Sequence, residues 1–195
     1  MNNYSKTELH PFDPFLPGNA QLFMLGSFPP AKNRWSMEFY YPNIQNDMWR
    51  IMGIIFKKDK NYFISTDKKQ FDKDKIISFL IKTEIALSDM AKIIIRHKEN
   101  ASDKFLEIID QADIRSQLFK LPKCKAVVTT GQKATETFCS IMNISEPKVG
   151  QYCSFLFMNK NLKFYRMPSS SRAYPKPIEE KAKIYEQMFR EIGMI

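Results

Sequence analysis

Cysteine, histidine and glycine are all scarce in this chain of 195 residues, which has three, two and six of them. Cys124, Cys139 and Cys153 are odd in number and far apart, and only His10 and His97 accompany them. That leaves no disulfide framework and no zinc or iron–sulfur ligand spacing, so no metal or cofactor is expected. A reducing cytoplasm fits such a chain. No Ser–His or Cys–His pair emerges either, which gives covalent hydrolase chemistry little support. No apolar run approaches the roughly 20 residues of a membrane helix, although 44% of the residues are hydrophobic. The polar start Met1-Asn2-Asn3-Tyr4-Ser5-Lys6-Thr7-Glu8 lacks a signal-peptide pattern. A soluble, unexported protein is expected, with no membrane contact.

What is abundant is positive charge. A formal net charge of +9 favours a polyanionic partner, because positive surface potential attracts phosphate whatever the base sequence. Many lysines (Lys57, Lys58, Lys60, Lys68, Lys69, Lys73, Lys75) share one stretch with Asp59, Asp67, Asp72 and Asp74. That stretch reads as a solvated mixed-charge surface. The chain length suits one domain with a substantial core, and residues 1–195 are expected to form it as a monomer.

Residues 1–20 place Pro11, Pro14 and Pro17 among Phe12, Phe15 and Leu16, the pattern of an extended arm pinned by aromatic contacts. Continuous apolar runs at 21–27, 84–90, 125–130 and 162–167 read as buried parallel strands. Helical spacing links Met48, Ile51, Met52 and Ile55, and again Ala134, Phe138, Ile141 and Met142. Residues 76–81 end another helix, and Ile178, Ala182, Tyr185, Phe189 and Ile192 mark a closing one. A further helix is expected to carry Phe105, Leu106 and Ile109 behind a Ser102 cap, with His97 in a helical or loop segment before it. Apolar segments between Tyr152 and Arg166 flank Asn159-Lys160-Asn161, a hairpin pattern. The expectation is an α/β fold, a three-layer α/β/α sandwich around a mostly parallel four-stranded sheet, with ligand loops at the strand C-termini.

Three loops carry the chemistry. Leu22-Phe23-Met24-Leu25-Gly26-Ser27-Phe28-Pro29-Pro30 ends a strand in a stiff turn. Phe39-Tyr40-Tyr41-Pro42-Asn43-Ile44-Gln45-Asn46-Asp47-Met48-Trp49-Arg50 puts an aromatic face and a carboxamide where an extended loop becomes a helix, which suits a flat polar ligand. Met167-Pro168-Ser169-Ser170-Ser171-Arg172-Ala173-Tyr174 offers hydroxyls, amides and a guanidinium. Taken alone, Asn46 before Asp47 is also an ordinary helix cap, Gly26-Ser27 a strand-ending turn, and the serine run a surface loop.

In this order the three segments resemble the uracil-DNA glycosylase superfamily, most closely its hypoxanthine-DNA glycosylase branch and the related mismatch-specific enzymes. The matching positions are Gly26, Tyr41, Asn46, Trp49, Pro168 and Ser169. The resemblance spans residues 11–175 and implies excision of a deaminated base from DNA without a cofactor. It assigns Tyr41 to stack on the extruded base, and Ser27 and Phe28, after Gly26, to lend backbone donors to a base oxygen. Asn46 would hold a base edge or orient water, and Ser169, Ser170, Ser171 and Arg172 would grip the flanking phosphates. Lys133 in Gly131-Gln132-Lys133-Ala134 adds a phosphate contact, in a turn without P-loop spacing. Asp89, at a strand end, is a candidate to order these loops, or a plain capping residue.

Three departures stand out. Ser27 occupies a place where several branches carry Asp or Asn, which moves the water-orienting duty to Asn46. The branch's His-Pro before x-Asn is Asn43-Ile44 here, and Met167 replaces a His or Asn before Pro-Ser. A nucleic-acid-binding protein that keeps the pocket without catalysis is therefore the competing reading.

Overall fold

The alternation of apolar runs and helical periodicities builds a mixed α/β fold. The computed structural model describes residues 7–97 and 105–195. The elements in chain order begin with β1 (Thr7–Leu9), β2 (Leu22–Gly26), α1 (Met48–Lys57), α2 (Lys73–Lys82), β3 (Ile85–Asp89), β4 (Ala91–Arg96) and β5 (Leu106–Gln111). They continue with α3 (Ile114–Phe119), β6 (Ala126–Thr130), α4 (Gln132–Met142), β7 (Gln151–Phe157), β8 (Lys160–Met167) and α5 (Ile178–Glu191).

The main sheet has five strands in the order β3-β2-β6-β8-β7, not the four expected. The first three pairings are parallel, and β7 closes the edge antiparallel to β8. The added strand is the first arm of the expected hairpin. Its turn falls at Met158-Asn159, one residue earlier than expected, and both adopt positive φ, 46° and 66°. Two such residues make the tight turn whose twist matches paired strands.

β2, β3 and β6 are buried along their whole length, so successive side chains feed opposite faces. Leu22 and Met24 join one cluster with Trp49 and Met52 of α1, Leu80 of α2 and Phe189 of α5. Phe23 and Leu25 join another with Leu118 of α3 and Phe138 of α4. Helices thus cover both faces, as a largely parallel sheet requires.

A second sheet, antiparallel and in the order β1-β4-β5, corrects the reading of residues 105–109 as helical. Leu106, Ile108 and Asp110 pair with β4, so Phe105 and Ile109 lie in or beside a strand, and His97 directly follows β4. The expected Ser102 cap lies outside the described residues. In β5 the alternation of side chains toward Ile94 and toward solvent, at period two, overrides weak helical spacing. The described part of the arm is extended. It pairs through β1 with β4 and, at Phe15, bridges to Leu87 of β3.

The loop after β2 leads to α1 on one face, and the turn after β6 leads to α4 on the other. The two connections part between adjacent strands, which opens a crevice at the C-terminal ends of β2 and β6. Among the described residues, no helix is long and apolar enough to cross a membrane.

Candidate active site

The strand register brings the ends of β2, β3, β6 and β8 into one row, with Gly26 beside Asp89 and Thr130 beside Met167. Above this row lies a cleft of about 920 Å³. Gly26, Ser27, Phe28, Tyr41, Asn46, Lys133, Ser169, Ser170, Ser171 and Arg172 all line it, so every residue singled out for chemistry meets at one place.

Asn46 occupies the entry to α1. Its Oδ1 accepts from the Met48 amide at 2.9 Å, so the carboxamide satisfies the first amide of the helix from one residue before the cap position, Asp47, while it faces the cleft. This bond uses one of the two acceptor sites of that oxygen. The next residue, Asp47, is buried and serves a different purpose. Its carboxylate meets Lys181 Nζ on α5 at 3.1 Å and Arg172 Nε at 3.1 Å, and its amide donates to the Ser170 carbonyl at 2.9 Å.

Lys181 also donates to the Ser171 carbonyl at 2.8 Å, and Tyr185 to the Pro168 carbonyl at 2.9 Å. The serine loop is therefore clamped to the start of α1 and to α5. Arg172 is held through Nε but remains half exposed, so the rest of its guanidinium can meet an anion.

Tyr41 sits in the left-handed region at φ 52°, a conformation that costs a non-glycine residue about 1–3 kcal/mol. Its hydroxyl shares a hydrogen bond with Thr130 Oγ1 at 2.8 Å, and its ring stands edge-on to Trp49 at 5.9 Å. These contacts tie the loop after β2 to the end of β6 and set the ring in the cleft wall.

Gly26 is required by contact. A Cβ there would lie 2.3 Å from Asp89 Oδ1 and 3.7 Å from the Tyr41 hydroxyl. The Ser27 carbonyl accepts from Ala91, and the Phe28 ring is buried against Ala91, Ile94 and Leu106 of the second sheet. Pro29 and Pro30 are held by their carbonyls, which accept from Arg96 at 3.0 Å and from the Trp35 indole at 2.7 Å. The turn is thus rigid before any ligand arrives.

Asp89 is more than a turn residue. Its Oδ2 lies 2.9 Å from His10 Nε2, and both side chains are about nine-tenths buried, 9% and 10% exposed. Burial by itself would lower the imidazole. The hydrogen bond and charge of Asp89 outweigh it, and with the Phe12 carbonyl and Asp13 they hold His10 above its ordinary 6.5.

The charged lining of the cleft is mostly basic, with Asp89 and Glu136 as its acids. Lys133, Arg34, Arg96, Arg166 and Arg172 all line the cleft. Arg96 is committed to Glu8 and Arg166 to Glu146, whereas Lys133 makes no ion pair with a described residue. Gly131, at φ 131°, turns the chain so that the N-terminus of α4 opens beside Lys133. Orphan amides at such a terminus favour negative charge.

The fold is similar to that of a candidate uracil DNA glycosylase. That protein, from Methanosarcina acetivorans and solved by NMR in solution, shares 21% identity with this chain, at a TM-score of 0.62. The match covers 96% of this chain and 99% of the other. No family model matches the sequence, and no curated protein does.

Sequence reasoning missed Lys181 and the pairing of His10 with Asp89. A lysine on the inner face of an otherwise apolar helical stripe, between Ile178 and Ala182, was the available signal for the first. For the second there was none, since 79 residues separate the partners. Burial pushes the Cys124 thiol up to about 12 and the Cys139 thiol up to about 11, away from thiolate chemistry, and none of the three cysteines lines the cleft.

Proposed function

We propose that this chain is a monofunctional DNA glycosylase of the uracil-DNA glycosylase superfamily, nearest its hypoxanthine-specific and mismatch-specific branches. It hydrolyses the N-glycosidic bond of a deaminated base, uracil or hypoxanthine, with water as the nucleophile. It acts as a single-domain cytoplasmic monomer on DNA, without a cofactor. The observation that carries this reading is the convergence of the three loops on one cleft whose charged lining is mostly basic.

The target nucleotide must leave the duplex before its bond can be reached, at a cost of a few kcal/mol. Tyr41, pinned by its hydroxyl and by its perpendicular contact with Trp49, supplies a fixed face for the extruded base. The stiff turn at Gly26, Ser27 and Phe28 sets backbone groups beside it, where charge develops on the departing base. Asn46 is too weak a base to deprotonate water, so its part is to orient the water or the base edge. Its bond to Met48 fixes the plane of the carboxamide for that task. Ser169, Ser170, Ser171, Arg172 and Lys133 hold phosphates, which position the strand without reading it.

One observation favours the competing reading of a catalytically silent DNA-binding protein: the Asn46 oxygen is already engaged by the first amide of α1. Single-turnover cleavage of oligonucleotides with uracil, hypoxanthine or xanthine, followed by alkaline scission of abasic product, separates the two. The glycosylase reading expects product, and a loss of at least about a hundredfold in Asn46→Ala while DNA binding is retained. Product from no lesion leaves the binding protein.

A further inference from the structure

His10 comes from the N-terminal arm and Asp89 from the end of β3, yet they form a buried pair, with Asp89 in the cleft lining and His10 behind it. His10 is packed on every side. Its ring meets Phe12 edge-on at 5.9 Å, Phe28 edge-on at 5.1 Å and Tyr40 at 6.0 Å. Nδ1 lies 2.8 Å from the Phe12 carbonyl and 3.2 Å from the Phe12 amide, which donates to it, and Nε2 lies 2.9 Å from a carboxylate, which only accepts. Nε2 therefore carries a hydrogen and donates it to Asp89.

The other charged and titratable groups around it are Asp13 on the arm, Tyr40 in the loop after β2, and Arg96 of β4, whose guanidinium lies 5.8 Å from the Phe28 ring. Asp89 itself lines the cleft, whereas His10 does not. With Oδ2 engaged by His10, the oxygen that lies over Gly26 is Oδ1. It and the Tyr41 hydroxyl are both within 3.7 Å of the point where a Gly26 side chain would begin.

We propose that His10 is a positioning residue for base recognition: it fixes Asp89 so that one carboxylate oxygen accepts the ring N–H of the extruded base. The proposal rests on the glycosylase reading of the cleft and specifies the substrate edge that is read. Deamination of cytosine or adenine turns a ring nitrogen that carries a lone pair into one that carries a hydrogen. A carboxylate only accepts, so it attracts that N–H in uracil or hypoxanthine and repels the lone pair in the parent bases. The N–H that His10 donates draws charge from the carboxylate, so the departing base anion faces a softened negative group. The arm is then part of the site.

The test is single-turnover excision by the full chain and by His10→Leu, His10→Gln and Asp89→Ala. The substrates are oligonucleotides carrying uracil or N3-methyluracil, in which the ring N–H is blocked. Melting temperature and affinity for duplex DNA with an abasic-site analogue are followed in parallel. The unaltered chain is expected to excise uracil about tenfold or more faster than N3-methyluracil, the worth of one hydrogen bond to a charged group. His10→Leu, which fills the aromatic pocket without a donor, and Asp89→Ala should bring that ratio toward one. His10→Gln, which can still donate to Asp89, should restore most of it.

A merely structural staple would lower both rates together and leave the ratio in place, which would overturn the proposal. So would a ratio near one in the unaltered chain, which decides the matter even where the variants do not fold. In both cases uracil is still excised and the glycosylase reading stands. Failure of the unaltered chain to excise any lesion removes that reading and this proposal together.

Discussion

Lys181 of α5 donates to Asp47 Oδ2 at 3.1 Å, with its side chain 1% exposed, and so joins the last helix to the first turn of α1 beneath the cleft. A charge this deep is stable only while it is paired. The pair is thus a structural tie that sets where the serine loop and Asn46 stand relative to one another.

Asp47→Asn is expected to destabilise the fold by about 3–5 kcal/mol, because it leaves the Lys181 ammonium buried without its carboxylate. That corresponds to a fall in melting temperature of roughly 10 °C for a chain of this size. Lys181→Met should cost less, since Arg172 still meets Asp47. Urea unfolding of both variants checks the order, and an equal or reversed cost counts against the pair as described.

Gly26→Ala drives a methyl group onto Asp89 Oδ1, 2.3 Å from where it would sit. A loss of about 1–3 kcal/mol is expected from such overpacking. Combining it with Asp89→Ala, which removes the obstructing oxygen, should recover part of what the two changes cost separately. Strict additivity in the double-mutant cycle would show that the contact is relieved in some other way.

The His10–Asp89 pair makes stability depend on pH in a known direction. The folded pKa of His10 is raised above 6.5, so the folded state binds a proton more tightly than the unfolded chain. The stabilisation is fully present below pH 6.5 and is lost as pH rises through the raised folded value. Unfolding free energies of the unaltered chain and His10→Gln should therefore differ most at acid pH and converge toward alkaline pH. A difference that grows with pH would reverse the assignment.

Lys133 makes no ion pair with a described residue and stands at the cleft rim beside the N-terminus of α4. Under the proposed function, Lys133→Ala should weaken DNA binding for all sequences alike. It should reduce the slope of log affinity against log salt by about 0.9, one phosphate's worth on duplex DNA. Thermal stability should stay within about 0.5 kcal/mol, as for other surface changes. An unchanged salt slope would take Lys133 out of the phosphate contacts.

Much of the fold is written locally. β2, β3 and β6 are legible because a strand buried on both faces must be largely apolar, β8 because Leu162, Phe164, Tyr165 and Met167 keep its second half so, and α1, α4 and α5 because one buried stripe repeats at helical spacing. The second sheet is not. Ala91-Lys92-Ile93-Ile94-Ile95-Arg96 is short enough to suit either element, and its strand character comes from β1 and β5, which reach it from distant parts of the chain. The cleft residues were readable as three loops because each has a distinctive local composition. Lys181 and the His10–Asp89 pair gave no such mark, since their meaning lies in what faces them.

By itself, then, the amino-acid order determined the parallel core strands, the main helices and the loops that end at Gly26, Asn46 and Ser169, all of which follow from the periodicity of burial and from turn chemistry. Tertiary structure alone decided that β7 extends the sheet, that the arm reaches Asp89 behind the cleft wall, and that Lys181 and His10 find their carboxylates. The reason is physical: periodicity is a property of neighbours along the chain. Charge pairing and strand pairing are settled only when folding removes water from groups 79 or 134 residues apart and leaves each to be satisfied by the other.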